Sequence, residues 1–192
     1  PALAEQVAWL AADRVNGCLV GLDLAGNEAE FNAQPFIGIF REARQSGLHL
    51  TIHAGEWNGA GSVREALVDL EAERIGHGVR ILEDDAVVAI AREKGTPFEV
   101  CVTSNYQTGV VPSLEQHPLM KMIASGLNVT LGTDDPSISQ ITLSHEFSHA
   151  FNGLGMSREV MEQRLLAAAR ATFLPPGEQE LLIARVRKEL TH

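Results

Sequence analysis

The chain has 192 residues, 45% of them hydrophobic, and 15 Lys and Arg against 25 Asp and Glu give a formal net charge of −10. That is enough for one sizeable core and reads as a single domain over residues 1–192, while the acidic balance argues against a basic surface for nucleic acid or anionic membrane. No apolar run reaches the roughly 18 residues of a membrane span and no secretory leader pattern is present, so the expected setting is the cytoplasm.

Residues 1–15 have helical spacing, with Leu3, Val7, Leu10 and Ala11 on one face. Residues 18–24 read as a buried strand, closed by Ala25-Gly26-Asn27-Glu28. A helix over 35–45 turns Phe36, Ile39 and Phe40 inward, and Gly47 stops it. A strand over 48–52 follows, then a helix to about residue 71 with Ser62 as N-cap and Glu65 at the capping-box position. Residues 74–76 form a short strand. Asp84 or Asp85 starts a helix that runs to Lys94 and ends at Gly95.

A strand over 97–102 leads into a polar loop with Thr103, Ser104, Asn105, Gln107 and Gly109. Residues 114–124 are helical with a break at Pro118, and 127–132 form the last strand. Helices over 139–154, 157–171 and 178–190 close the chain. Trp9, Phe36, Phe40, Phe147 and Phe151 follow helical spacing and are expected in the core, as are the thiols of Cys18 and Cys101, which lie in apolar runs.

Five near-continuous apolar strands alternating with helices are the pattern of a parallel sheet covered on both faces. An eight-stranded barrel usually takes about 250 residues. The pattern therefore leaves two architectures: an open doubly wound sheet, or a barrel whose first strands are not in this sequence.

Three strand ends carry ionisable residues among glycines: His53-Ala54-Gly55-Glu56, Arg74-Ile75-Gly76-His77-Gly78 and Thr133-Asp134-Asp135-Pro136. At the C-terminal edge of a parallel barrel these would meet on the active-site face, and imidazoles with carboxylates suit a metal-assisted hydrolysis. Each has a plainer reading taken singly. His53 and His77 could be hydrogen-bonded turn residues, Glu56 a charge at a helix start, Asp134 and Asp135 solvated loop carboxylates, and Gly26 a turn glycine. Ser104 lacks the Gly-x-Ser-x-Gly of a nucleophile elbow and reads as support for the site. His145-Glu146-Phe147-Ser148-His149 fits the HExxH template of zinc proteases and is a rival metal site.

Taken in order, Gly21-Leu22-Asp23-Leu24-Ala25-Gly26-Asn27-Glu28, the three strand-end motifs and Thr103-Ser104-Asn105-Tyr106-Gln107-Thr108-Gly109 resemble the adenosine deaminase family of zinc aminohydrolases. The likeness runs across essentially the whole chain. It implies a parallel (β/α)8 TIM-type barrel of which this chain supplies about the last five strands and the C-terminal helices. It also implies hydrolysis of adenosine and deoxyadenosine, yielding inosine from adenosine and ammonia, in purine salvage. By resemblance His53 and Asp134 bind Zn2+, Glu56 protonates the purine ring, and His77 orients the attacking hydroxide. Gly26 and Asp135 hold the purine. Arg74-Ile75-Gly76-His77-Gly78 is more similar to adenosine than to adenine deaminases, in which Asp typically precedes that His; an adenine or other purine aminohydrolase is the alternative. The family's further ligands, a His-x-His pair, have no match among histidines 49, 53, 77, 117, 145, 149 and 192. A non-catalytic barrel remnant associating through an open sheet edge is therefore the rival from another class.

Overall fold

Residues 1–15 and 17–191 are described by a computed structural model, in two units, Pro1–Thr96 and Pro97–His192. In the first, α1 (Ala2–Ala12) precedes β1 (Gly21–Leu24), α2 (Ile37–Gln45), β2 (His49–Ala54), α3 (Ala60–Val68), β3 (Arg74–His77) and α4 (Asp85–Lys94). β2 pairs in parallel on both edges, Leu22 opposite Leu50 and Ile52 opposite Ile75. Its consecutive residues Leu50, Thr51 and Ile52 are all buried, so both faces of the strand are covered. That is why the run carries no polar alternation.

Local signals place α4 as expected. The Asp84 carboxylate accepts from the Ala86 N–H at 2.8 Å, and Gly95 ends the helix at φ 66°. The start of α3 differs. Gly59, extended at φ −76° and ψ −173°, is its N-cap, and Ser62 lies inside the helix with its hydroxyl turned to the Gly59 carbonyl and to Glu28. α1 also departs from its expected face. Leu3, Val7, Trp9 and Leu10 are exposed, whereas Ala8 and Ala11 are buried where α1 lies against α2. Small side chains make that contact, so the large ones are left outside it. Cys18 is exposed rather than buried, because β1 begins only at Gly21.

The second unit runs β4 (Pro97–Val100), α5 (Val102–Gln107), α6 (Leu119–Ala124), β5 (Asn128–Leu131), α7 (Pro136–Ser139), α8 (Leu143–Ser148), α9 (Arg158–Arg170) and α10 (Pro176–Leu190). β4 and β5 pair in parallel, Phe98 opposite Val129 and Val100 opposite Leu131. The polar stretch expected as a loop after β4 is helical as α5, with Val102 to Asn105 buried. The expected helix over 139–154 divides into α7, α8 and a π-helical turn at His149–Gly153, and Phe151 is 48% exposed. Ser157 caps α9 as its position suggests, its hydroxyl accepting from the Val160 N–H at 3.3 Å. α9 lies along β5, and its Arg164 donates to the Val129 carbonyl at 3.2 Å.

Candidate functional site

In the first unit, His53 near the end of β2 stands opposite Gly76 of β3. A Cβ at Gly76 would lie 2.9 Å from the His53 ring, so the glycine makes room for the imidazole. The next residue, His77, takes a left-handed backbone (φ 60°), which a side-chain-bearing residue adopts at a cost. Its ring meets that of His53 edge-on, centroids 5.1 Å apart, and its side chain is 3% exposed. Glu56 Oε2 lies 3.6 Å from His77 Nε2, an ion-pair spacing. Asp23 of β1 places Oδ1 3.1 Å from His53 Nδ1, which fixes the orientation of the ring.

The turn that carries Glu56 is held from both sides. Glu28, in the loop after β1, accepts from the N–H groups of Gly55 at 2.6 Å, Glu56 at 3.0 Å and Trp57 at 2.9 Å, and from the Ser62 hydroxyl. Arg80 donates its backbone N–H to the Gly55 carbonyl at 2.9 Å and its guanidinium to the Trp57 carbonyl at 2.6 Å. Beside this turn is a cavity of about 210 Å³ lined by Leu24, Gly26, Phe31, Phe36, Ile52 and His53 among others. Gly26 lines it at φ 156°, a backbone that side-chain-bearing residues rarely adopt.

The second unit positions its acidic pair differently from a strand end. β5 stops at Leu131, and Asp134 takes a left-handed backbone (φ 54°) three residues later. Its Oδ2 accepts from the hydroxyl of Ser104, which is buried in α5, at 2.7 Å. Asp135 is exposed, and its carbonyl accepts from Ile138 and Ser139 to start α7. Burial, then the negative charges of Asp134 and Glu146, push the Cys101 thiol well above its ordinary pKa.

The sequence profile of the adenosine deaminase family matches residues 1–189. The chain belongs to that family. It is 41% identical over 187 residues to an adenosine deaminase of Klebsiella pneumoniae, covering 97% of this chain and 56% of that protein. It is 42% identical over 164 residues to one of Edwardsiella ictaluri, covering 85% and 49%. Among solved structures it matches the adenine deaminase of Arthrobacter aurescens with a TM-score of 0.89 and 29% identity, over 98% of this chain and 58% of that one. Arabidopsis ADAL complexed with IMP matches with a TM-score of 0.87 and 26% identity, over 99% and 55%. The chain thus spans about half the length of the curated relatives it matches. The expected fold class is borne out: five parallel strands with flanking helices, in the fold of deaminase barrels.

Measured against this family, the HExxH reading of residues 145–149 fails on geometry. Glu146 is fully buried and accepts from the Thr103 N–H, while His145 closes a capping box with Thr142. A catalytic base turned into the core cannot serve a metal on the helix surface. His49 pairs with Glu73 at 2.7 Å at the start of β2, the opposite end from His53. Asp23, Glu28 and the true role of Ser62 were not singled out from sequence. An acid inside an apolar strand was the available signal for Asp23. Glu28 and Ser62 are brought together over 34 positions of chain, and no local pattern announces that. Among the described residues, no helix is long and apolar enough to cross a membrane.

Proposed function

We propose that the protein is a zinc-dependent, cytoplasmic adenosine deaminase acting on adenosine and deoxyadenosine in purine salvage. Identities of 41% and 42% to proteins named adenosine deaminase, against 29% to an adenine deaminase, favour the nucleoside over the free base. The single observation that carries the reading is the Glu56 carboxyl facing the nearly buried His77 imidazole just past the end of β2, with His53 beside them.

His53 and Asp134 would hold the zinc. They offer an imidazole nitrogen and a carboxylate oxygen, donors that zinc accepts, and each is already oriented by a neighbour, Asp23 and Ser104 respectively. A zinc ion held there would supply the Lewis acidity that activates water for attack near neutral pH. Glu56 donates a proton to the ring nitrogen beside the amino-bearing carbon, which makes that carbon accept the oxygen of water. His77 orients the attacking oxygen through a side chain that solvent barely reaches. The amino group then takes up one proton given up by the water and leaves as ammonia, while the water's other proton restores Glu56 and the ring nitrogen keeps the one it received. The Gly26 N–H and the Asp135 carboxylate meet the purine's other ring nitrogens, and the apolar walls of the cavity beside Gly26 suit a flat base.

The test is turnover by the full-length, zinc-loaded protein. Adenosine should be converted to inosine with one ammonia released, and adenine should be a poor substrate. Preference for adenine would move the protein to the alternative aminohydrolase reading. Inertness toward every 6-aminopurine, with zinc retained, would remove the enzymatic reading.

A further inference from the structure

Glu28 fills both of its carboxylate oxygens with donors from elsewhere in the chain. Oε1 accepts from the Gly55 N–H and the Ser62 hydroxyl, and Oε2 accepts from the N–H groups of Glu56 and Trp57. Three successive backbone N–H groups therefore converge on one side chain from a different loop, and the middle one belongs to Glu56 itself. The opposite edge of the turn is fixed by Arg80 through the carbonyls of Gly55 and Trp57. Gly55 leaves little slack, since a Cβ there would overlap Val63 and sit 3.3 Å from the Gly78 Cα.

Glu28 also belongs to the loop of Gly26, and its N–H donates to the Gly26 carbonyl at 2.9 Å. We propose that Glu28 is a positioning residue: its carboxylate fastens the Gly26 loop to the turn bearing Glu56, and so fixes the acid at its spacing from His77. This rests on the reading of Glu56 as the ring-proton donor. The physical reason is geometric. A side chain held by charge-assisted bonds to three backbone donors transmits no slack, and a proton donor misplaced by about 1 Å loses on the order of a hundredfold in rate.

The experiment is a double-mutant cycle on the full-length, zinc-loaded protein with adenosine as substrate. Glu28→Gln replaces one acceptor oxygen by an amide that opposes the N–H donors. It should lower kcat by roughly tenfold to a hundredfold with KM changed by less than about threefold. In the Glu56→Gln background the same substitution should lower kcat by less than about twofold, because no acid remains to be positioned. A merely structural role would lower kcat equally in both backgrounds, and that result overturns the proposal. Ser62→Ala removes one donor to Glu28 and keeps the backbone. It should give a loss of about threefold to tenfold that also vanishes beside Glu56→Gln. If circular dichroism shows Glu28→Gln unfolded, an unchanged kcat in Ser62→Ala overturns the proposal instead. Wild-type protein that leaves adenosine untouched defeats the deaminase reading, whereas active wild type with additive losses defeats only the role of Glu28.

Discussion

His77 and Asp134 share a property that no side-chain inventory reveals: both adopt positive φ without being glycine. Such a backbone costs of order 1–3 kcal/mol and persists where the surroundings over-determine it, which is where functional side chains are aimed. Asp134 lies beyond the end of β5, so alternation along a strand does not set it apart from Asp135. The strand ends at Leu131, and the left-handed residue itself redirects the chain between the two carboxylates. Both carboxylates are exposed; Asp134, which accepts from Ser104, is the proposed ligand, and Asp135 the proposed purine contact. Asp134→Ala should lose zinc on dialysis, read by metal analysis. Asp135→Ala should keep zinc and bind purine analogues more weakly by about 1.5–3 kcal/mol. Equal metal loss in the two variants would refute the division. Glu56→Gln should retain zinc and lose about 10²- to 10⁴-fold in turnover, and near-normal turnover would return Glu56 to a structural role.

At the scale of elements, what could be read from sequence tracks whether the signal is local. α4 carries its own punctuation in Asp84 and Gly95, and its ends fall where these residues put them. Asp84→Ala should cost about 1 kcal/mol in a urea melt, as loss of an N-cap does, and an unchanged midpoint would show the cap to be idle. α5 offered nothing comparable. Thr103, Ser104 and Asn105 are polar and lack apolar periodicity, yet they are buried in a helix whose Thr103 N–H is met by both carboxylate oxygens of Glu146 from α8. Partners that distant in sequence leave no trace in the segment itself. The glycine at position 76 lies between these cases. Its place between Ile75 and His77 was visible, but its reason is the ring of His53 on the neighbouring strand. Gly76→Ala should push that ring aside and destabilise by about 1–3 kcal/mol, as overpacking does, with zinc affinity falling alongside. A melt and a zinc titration both matching wild type would show the space to be spare.

Across the molecule, the family profile covers residues 1–189, so both units carry family sequence. The two thiols allow the units to be followed separately, because Cys18 lies in the first and Cys101 in the second. Their surroundings are opposite. Cys18 is exposed just before β1, whereas Cys101 is buried after β4, where desolvation and nearby carboxylates disfavour its thiolate. Since the thiolate is the reactive form, a disulfide reagent at pH 8 should modify Cys18 within the mixing period and spare Cys101 until the second unit opens. Cys18→Ser should therefore abolish the fast phase, and urea should release the Cys101 reaction with the midpoint of the second unit's unfolding. A Cys101 that reacts as fast as Cys18 in native protein would mean that the β4 end is open to solvent, and that the Ser104 grip on Asp134 is not a fixed feature of the fold.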